Sequence, residues 1–187
     1  QRDKKIKDTL KVKGIDINSF NGSLLWEPWE VLKNDGTSYR VFTPYYRRGC
    51  LRAKEPRVPM NTPNKFDYYE LKKIISIDIC NLNLLPKHNW KDKIIKNWKI
   101  GEDEAQERLE EFVHNELDGY KDGRNFPNRK NVSRLSPHIH WGEISPNTIW
   151  HRVWNLQELN TNKFQDTDTL LSEMGWREFS DCLLFHF

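Results

Sequence analysis

Two serine-proline pairs, Ser136-Pro137 and Ser145-Pro146, constrain the fold of this chain more than any other feature. Such a pair is typical of a helix start, because the serine oxygen caps free backbone amides and the proline lacks an amide that would have no helical partner. Gly142 lies between the two pairs and is suited to end the first helix in a left-handed turn. The segment therefore predicts a short helix, a break and a second helix.

The residues around the first pair carry anion-binding chemistry. Ser133 and Ser136 offer hydroxyl donors, and Arg134 lies beside them at a predicted helix start with free amides. Together these groups predict a cradle for an anion. From the residues alone, a well-capped helical hairpin with a surface arginine is the commoner explanation, so both interpretations stay open at this point.

A longer helix is predicted to begin at Gly101, because acidic residues fill the first turn that follows it. Phe112 and Val113 fall on the inward face of its period. Gly119 and Gly123 are expected to end this helix, which places Tyr120 on its last turn, just ahead of a loop with Arg124.

The last helix, predicted from about Asp168 with Asp166 or Thr167 as its cap, carries two stripes. The apolar stripe consists of Leu171, Met174, Phe179, Cys182 and Leu183. The second stripe consists of Glu173, Trp176, Arg177 and Ser180, at spacings of three and four residues. We expect Glu173 and Arg177 to pair across one turn. The second stripe is explained either by an ordinary helix salt bridge beside a packed tryptophan or by the wall of a cleft, and its mixed chemistry slightly favours the cleft.

The first third of the chain has weaker signals. Alternating residues predict a short strand over 15–20, and the turn at 34–36 predicts a hairpin-like pair. Thr43-Pro44 predicts the start of a helix by the same capping rule. Three prolines exclude a regular element over 55–64.

Composition limits the class of protein. The net charge of +3 and the pI near 8.7 permit a nucleic-acid partner without requiring one. No apolar run approaches the length of a membrane span, so we expect no membrane partner. Three widely spaced cysteines, Cys50, Cys80 and Cys182, are typical of reduced thiols and predict a cytoplasmic location. The start at Gln1 and the apolar residues 183–187 further predict a fragment whose core is completed by other segments.

The central segment suggests two other types of site. His138 and His140 are two residues apart, and side chains at that spacing on a helix do not converge on a metal. A hydrolase with Ser136 or Ser145 as nucleophile is weaker still, because both serines are explained as caps. We therefore expect no metal site.

Three stretches, taken in order, resemble one known family. They are R-V-F-T-P-Y-Y-R-R at 40–48, S-R-L-S-P-H-I-H-W-G-E-I-S-P at 133–146 and E-M-G-W-R-E-F at 173–179, with a matching loop at 120–127. They are similar to the flavin-binding domain of the DNA photolyase and cryptochrome family, and the resemblance covers essentially the whole chain. Within the family the chain most resembles the bacterial class I cyclobutane pyrimidine dimer photolyases.

The resemblance implies a mainly α fold, namely the N-terminal half of the helical FAD-binding domain with a short α/β remnant of the antenna domain before it. Residues 1–42 would be that remnant, 43–99 an interdomain linker with the first helices, and 100–187 the half-domain. The family's later adenine- and flavin-facing residues and its tryptophan electron-transfer chain would lie beyond residue 187.

The resemblance also implies roles for individual residues. FAD would be bound by Tyr120 near its phosphates, by a diphosphate cradle of Val132, Ser133, Arg134, Leu135 and Ser136, and by Arg177 against the flavin. The catalytic pair Glu173 and Trp176 would face the flipped-out pyrimidine dimer, the glutamate by hydrogen bonds and the tryptophan by stacking. Arg124 would contact the DNA backbone.

Two residues depart from the family pattern. Val132 occupies a position where the family usually has threonine, which removes one hydroxyl from the cradle. Leu170 occupies a position where an aromatic residue is frequent, which thins the packing around the cofactor. Neither departure excludes flavin binding.

The function implied for the parent protein is that of a deoxyribodipyrimidine photo-lyase, a light-driven, FAD-dependent lyase that splits pyrimidine dimers in damaged DNA. A folate- or deazaflavin-type antenna chromophore would accompany FAD in the parent. One alternative is a cryptochrome, a blue-light photoreceptor without repair. Another is a non-catalytic helical DNA-binding or interaction module, whose DNA affinity would be lesion-blind and fall steeply with salt.

Overall fold

The computed structural model describes residues 2–65, 67, 76–84, 88, 90–159 and 163–187. Within these ranges the regular elements are mostly helical, which confirms the mainly α fold. The α-helices are α1 (Arg2–Val12), α2 (Phe42–Pro44), α3 (Trp90–Ile95), α4 (Glu102–Glu111), α5 (Tyr120–Gly123), α6 (Ser136–Trp141), α7 (Pro146–Leu159) and α8 (Phe164–His186). Wider π-helical turns at Tyr45–Gly49 and Phe112–Glu116 continue α2 and α4, and 3-10 turns occupy Cys50–Arg52 and Ile79–Leu82.

Helix α8 is the central element of the core. It packs along α7, and it also contacts α5 and the π-turn after α2. The apolar stripe predicted for α8 is buried at Leu171, Met174, Phe179 and Cys182. From α7, the core receives Ile149, Trp150 and Val153, which share one helical face. The fold therefore assembles around one face of each long helix.

The start of α8 corrects a sequence prediction. The helix begins at Phe164, so Asp166 and Thr167 lie inside its first turn instead of capping it. The Asp166 carboxylate accepts hydrogen bonds from the backbone amides of Gly119 and Lys121, at 3.0 and 2.8 Å. Asp166 thus caps the neighbouring helix α5, because a carboxylate beside free amides satisfies them equally well from another element.

Residues 2–41 contain little regular secondary structure besides helix α1. Helix α1 buries none of its residues and ends at Val12, and the turn that follows it contains Gly14 with a φ of 71°. The strand predicted over 15–20 does not form in the described structure, and the predicted hairpin is reduced to one antiparallel bridge between Leu32 and Ser38. A strand needs a partner for its backbone groups, and those residues have none among the described ranges.

A buried carboxylate fastens the N-terminal segment to α8. Glu178 is 2% exposed, and its Oε2 accepts from the backbone amides of Leu25 and Trp26, at 2.8 and 3.3 Å. The Trp26 ring packs edge-on against Trp150 of α7, with centroids 5.1 Å apart. This contact covers the core with a segment that has no regular structure of its own.

The predicted helix at Thr43-Pro44 forms, but it begins one residue earlier, at Phe42. Its continuation as a π-turn buries Tyr45 and Tyr46. The chain over 54–63 has no regular element, as the prolines predicted. No described helix is both long enough and apolar enough to cross a membrane.

Candidate functional site

The segment Val132–Ser136 leads into α6 through an unusual backbone conformation. Arg134 has a φ of 56°, a left-handed value that residues with a Cβ seldom adopt. The Leu135 amide lies 3.4 Å from Ser133 Oγ, which accepts its hydrogen bond. Ser136 is the first helical residue and makes no side-chain cap, so its predicted capping role is wrong. The chain turns into α6 at the left-handed Arg134, two residues before the helix begins at Ser136.

The second serine-proline pair behaves as predicted. Ser145 Oγ accepts a hydrogen bond from the Thr148 amide at 3.0 Å, directly before α7. Gly142 ends α6 with a φ of 75°, the left-handed turn expected of it. The helical hairpin is therefore confirmed, with one side-chain cap in place of two.

A cleft of about 530 Å³ lies beside this segment, between α4 and the loop before α6. Val132 and Arg134 line it, together with Trp98, over whose ring the Arg134 guanidinium lies at 5.3 Å. Its other charged lining residues are the cations Lys99, Arg108, Arg129 and Lys130 and the carboxylates Glu104, Glu107, Glu111 and Glu116.

The carboxylates of the cleft are engaged by two of its cations. Lys99 contacts Glu104 and Glu107 at 3.2 and 3.3 Å. Arg108 contacts Glu111, at 2.9 Å, and Glu116. Arg129, Lys130 and Arg134 have no carboxylate within 4 Å in the part of the chain that the structure describes. This wall of the cleft offers three cations to an anionic ligand, and a diphosphate matches that donor set.

Arg108 is a functional candidate that the sequence analysis missed. Its Nε donates to the Ser133 carbonyl at 2.8 Å and its Nη2 to the Val132 carbonyl at 2.9 Å. Its side chain is only 16% exposed. In sequence it is one of several charged residues on an amphipathic helix, so no local signal distinguishes it.

Tyr120, Arg124 and Glu173 form a second group, between α5 and α8. The predicted pair between Glu173 and Arg177 is wrong, since Glu173 forms its ion pair with Arg124 instead. The Arg124 guanidinium lies 5.8 Å from the centre of the Tyr120 ring. Tyr120 opens α5 after the left-handed Gly119, so it does not lie on the last turn of the preceding helix as predicted.

The second group has a distinct electrostatic character. Burial raises the pKa of the Tyr120 hydroxyl, which keeps it protonated as a hydrogen-bond donor. The hydrogen bond to Glu173 raises the pKa of Arg124 further above its ordinary value. Arg124 Nε is buried without a partner among the described residues. The free hydrogen-bonding capacity of Arg124 therefore lies inside this group and not at its surface.

Trp176 presents a flat ring on the surface of α8. It is 47% exposed, and one face stacks on Phe42, with centroids 3.8 Å apart and planes 13° apart. Phe42 in turn stacks on the buried Tyr46. Trp176 is therefore a supported surface aromatic, because one face is packed and much of the remaining ring is open to solvent.

Arg177, the last predicted cofactor contact, donates from Nη1 to Glu178 Oε1 at 2.6 Å. Burial raises the pKa of Glu178 to about 7.

Leu135 and Leu170 are buried in the core, at 2% and 5% exposure. The structure thus brings together the cradle residues 132–136 in one place and Tyr120, Arg124 and Glu173 in another, while Arg177 is joined to neither group by a hydrogen bond or ion pair among the described residues.

The two histidines of the central segment have separate environments. His138 is one of the lining residues of the cleft, and its Nδ1 lies 2.5 Å from Glu143 Oε2. His140 is exposed beside Trp141. The His138 contact ties the end of α6 to the turn that follows it.

Comparisons with known proteins identify similar chains. A family model described as DNA photolyase matches residues 1–64. The chain is 36% identical, over 99% of its length, to a deoxyribodipyrimidine photo-lyase of Agrobacterium fabrum, of which it covers 38%. It is 30% identical to cryptochrome-1 of Arabidopsis thaliana, of which it covers 28%. The chain thus spans well under half the length of these relatives.

A solved structure gives the same result at the level of the fold. The crystal structure of a bacterial class III photolyase from Agrobacterium tumefaciens matches all of this chain and 38% of its own, with a TM-score of 0.89 and 36% identity. The class I assignment expected from the sequence is not confirmed, because this neighbour is described as class III. In sequence and in fold, the chain is therefore similar to members of the DNA photolyase and cryptochrome family.

Proposed function

We propose that the protein containing this chain is a deoxyribodipyrimidine photo-lyase that binds FAD and repairs pyrimidine dimers in DNA. Two features carry the proposal, namely a cleft beside Arg134 with three cations that have no carboxylate partner among the described residues, and a supported, half-exposed tryptophan at Trp176. The photo-lyase from Agrobacterium fabrum supports the same activity by its similarity over nearly the whole chain.

The cleft fits the diphosphate of FAD. Arg134, Arg129 and Lys130, which line the cleft, would neutralise the phosphates. The hydroxyl of Ser133, next to Arg134 in the chain, would donate to them. Val132 carries no donor in its side chain, so the guanidinium of Arg134 carries more of the binding. Tyr120 and Arg177 would contact other parts of the cofactor, while the buried Leu135 would shape the cradle from within and Ser136 would add a hydroxyl at its edge.

The DNA-facing residues suit an extruded base pair. The exposed part of Trp176 offers a stacking surface, which favours any flat base without reading its sequence. Glu173 would hydrogen-bond the base edges, and Arg124 would move to a DNA phosphate. Because these two residues pair with each other in the structure, DNA binding exchanges that ion pair for two contacts with the nucleic acid.

The chain supplies placement and not acid–base chemistry. When bound, FAD supplies light-driven electron transfer to the lesion. The residues described here hold the diphosphate, support the stacked base and orient the base edges. Residues 1–42 would be the end of an antenna domain, 43–99 a linker with the first helices, and 100–187 half of the flavin domain. Three free cysteines support a cytoplasmic location.

The decisive test of the cradle is Arg134→Ala in the intact protein. A charge-assisted hydrogen bond is worth about 1.5–3 kcal/mol, so we expect FAD to bind at least roughly tenfold more weakly. Riboflavin, which lacks phosphate, should bind as before. The control is Arg57→Ala, which removes an exposed arginine from the irregular segment at 54–63. Unchanged FAD affinity in Arg134→Ala would refute the cradle assignment.

Repair separates photo-lyase from cryptochrome. We expect purified, FAD-loaded protein to restore dimer-containing DNA under blue light and to do nothing in the dark. A flavin-binding protein that never restores the DNA would instead match the cryptochrome relatives. Lesion-blind, salt-sensitive DNA binding without flavin would indicate a simple DNA-binding module.

A further inference from the structure

We propose that Arg108 is a positioning residue for the diphosphate cradle, which it holds in the binding conformation through two backbone carbonyls. The inference rests on the proposed FAD site and assigns it a residue from a different helix, α4. Arg108 would act through residues 132–134 and would not need to touch the cofactor itself.

The geometry is that of a fork gripping two consecutive peptide groups. Nε and Nη2 of Arg108 donate to the carbonyls of Ser133 and Val132, at 2.8 and 2.9 Å. A guanidinium is planar and presents its donors at fixed angles, so it sets the spacing and the orientation of both acceptors. A lysine in the same place keeps the charge but has no such planar fork.

Arg108 is itself held from the other side. Its Nη1 donates to Glu111 at 2.9 Å, and its Nη2 also contacts Glu116. Glu116 is only 14% exposed. The start of the segment is fixed to the same turn, because Asn131 Nδ2 donates to the carbonyls of Glu116 and Asp118, each at 2.8 Å. The segment therefore has several anchors on α4 and its π-helical continuation, and Arg108 is the one nearest Arg134.

The need for such a grip follows from Arg134. Its left-handed backbone is unfavourable for a residue with a Cβ and persists only where the surroundings enforce it. The two carbonyls held by Arg108 belong to the residues directly before Arg134. Fixing these peptide groups limits the conformations open to Arg134 and directs its guanidinium toward the cleft.

A second arginine on the core provides a matched control. Arg152 of α7 donates from Nε and Nη2 to Glu110 of α4, both at 2.7 Å. It uses the same fork, is also partly buried and also connects α4 to another element, and within the described ranges it makes no hydrogen bond to the cradle. Arg152→Lys therefore measures how much FAD affinity is lost when α4 is loosened at a place outside the cradle.

The test compares Arg108→Lys with Arg152→Lys in the intact protein, with FAD and riboflavin titrated separately by fluorescence. We expect Arg108→Lys to weaken FAD binding about tenfold although the charge is kept, and to change riboflavin binding less than twofold. Arg152→Lys should leave both affinities within twofold of wild type. Equal losses of FAD affinity in the two variants, or none in Arg108→Lys, would overturn the inference.

A double mutant distinguishes this inference from the proposed function beneath it. If Arg108 acts through Arg134, Arg108→Lys should cost less than twofold in FAD affinity once Arg134→Ala is present. Additive losses would mean that Arg108 acts on its own. Unchanged FAD affinity in Arg134→Ala alone would remove the cradle, and this inference with it, whereas a loss there but none in Arg108→Lys would overturn only the role of Arg108.

Hydrogen exchange supplies a readout that does not depend on bound flavin. We expect Arg108→Lys to accelerate amide exchange at residues 133–135 and to leave exchange in α7 unchanged. Arg152→Lys should accelerate exchange in α7 and leave residues 133–135 unchanged. If Arg108→Lys does not fold, Glu116→Gln loosens the same fork with the arginine retained and should give the same exchange pattern. Unaltered exchange at the cradle in the variant that folds would refute the positioning role.

Discussion

At the scale of single residues, the candidate site depends on side chains that are supported from behind. Trp176 lies on Phe42, and Arg134 lies over Trp98. In each case an aromatic ring fixes one face of a group whose remaining surface stays accessible. A side chain that is already held in one conformation loses less conformational entropy on binding, so more of the contact energy contributes to affinity.

Trp176→Ala should therefore weaken binding to dimer-containing DNA more than binding to undamaged DNA. Stacking of one base on an aromatic ring is worth about 1–3 kcal/mol, which predicts a loss of roughly fivefold or more for the lesion. The measurement is a competition titration with matched duplexes. Trp141→Ala, at an exposed tryptophan on α6, is the control and should affect both duplexes alike. Equal losses for Trp176→Ala would return this residue to a packing role.

At the scale of elements, the π-turn after α2 and helix α8 approach very closely. A Cβ built on Gly175 would lie 2.5 Å from Cδ2 and 2.8 Å from Cε2 of Tyr46, which is itself 1% exposed. The ring that lies beneath Phe42 and Trp176 thus occupies the space that a larger residue would take. Because Gly175 has no side chain, the π-turn after α2 can pack against α8 at this distance.

Gly175→Ala should destabilise the fold despite the better helix propensity of alanine. Overpacking costs about 1–3 kcal/mol, and the propensity gain is about 1 kcal/mol. We expect a net loss of unfolding free energy near 1 kcal/mol, because the buried Tyr46 ring has little room to move. Urea denaturation measures it. Gly22→Ala, where no atom lies within 4 Å of the added Cβ, should stay near wild type. A stabilised Gly175→Ala would show that Tyr46 relaxes freely.

At the scale of the whole molecule, Glu178 joins the N-terminal segment to the helical core. Its carboxylate accepts from two backbone amides of that segment and from Arg177 of its own helix. Burial dominates these contacts and raises the pKa of Glu178 from 4.5 to about 7. In the unfolded chain the group titrates near its ordinary value, so the folded state binds the proton more tightly.

This pKa difference predicts a pH-dependent stability. Between about pH 4.5 and 7 the folded state holds a proton that the unfolded state has lost, so the unfolding free energy falls as the pH rises. At about 1.4 kcal/mol per pKa unit, the loss attributable to Glu178 is roughly 3 kcal/mol. Denaturation of Glu178→Gln across this range should lack that decline, whereas Glu102→Gln, at an exposed position, should retain it. Parallel pH profiles for wild type and Glu178→Gln would contradict the raised pKa.

Much of the molecule follows from the sequence alone, because its signals are local. Ser145 caps α7, Gly142 ends α6, and the apolar stripe of α8 becomes the core, since capping chemistry and helical period act over a few residues. The anion site beside Arg134 stays a prediction, and the structure has a cleft at that place. The family resemblance followed from the same local motifs, taken in order.

The tertiary structure decided which groups form ion pairs and hydrogen bonds with each other. Glu173 pairs with Arg124 and not with Arg177, and Asp166 caps α5 instead of its own helix. Arg108 reaches the carbonyl of Ser133, a contact across 25 residues of sequence. A charged side chain has several candidate partners at helical spacing, and only the packing of whole helices determines which of them lies within hydrogen-bonding distance. Sequence determined which groups this protein offers at its site, whereas the fold determined what each group holds.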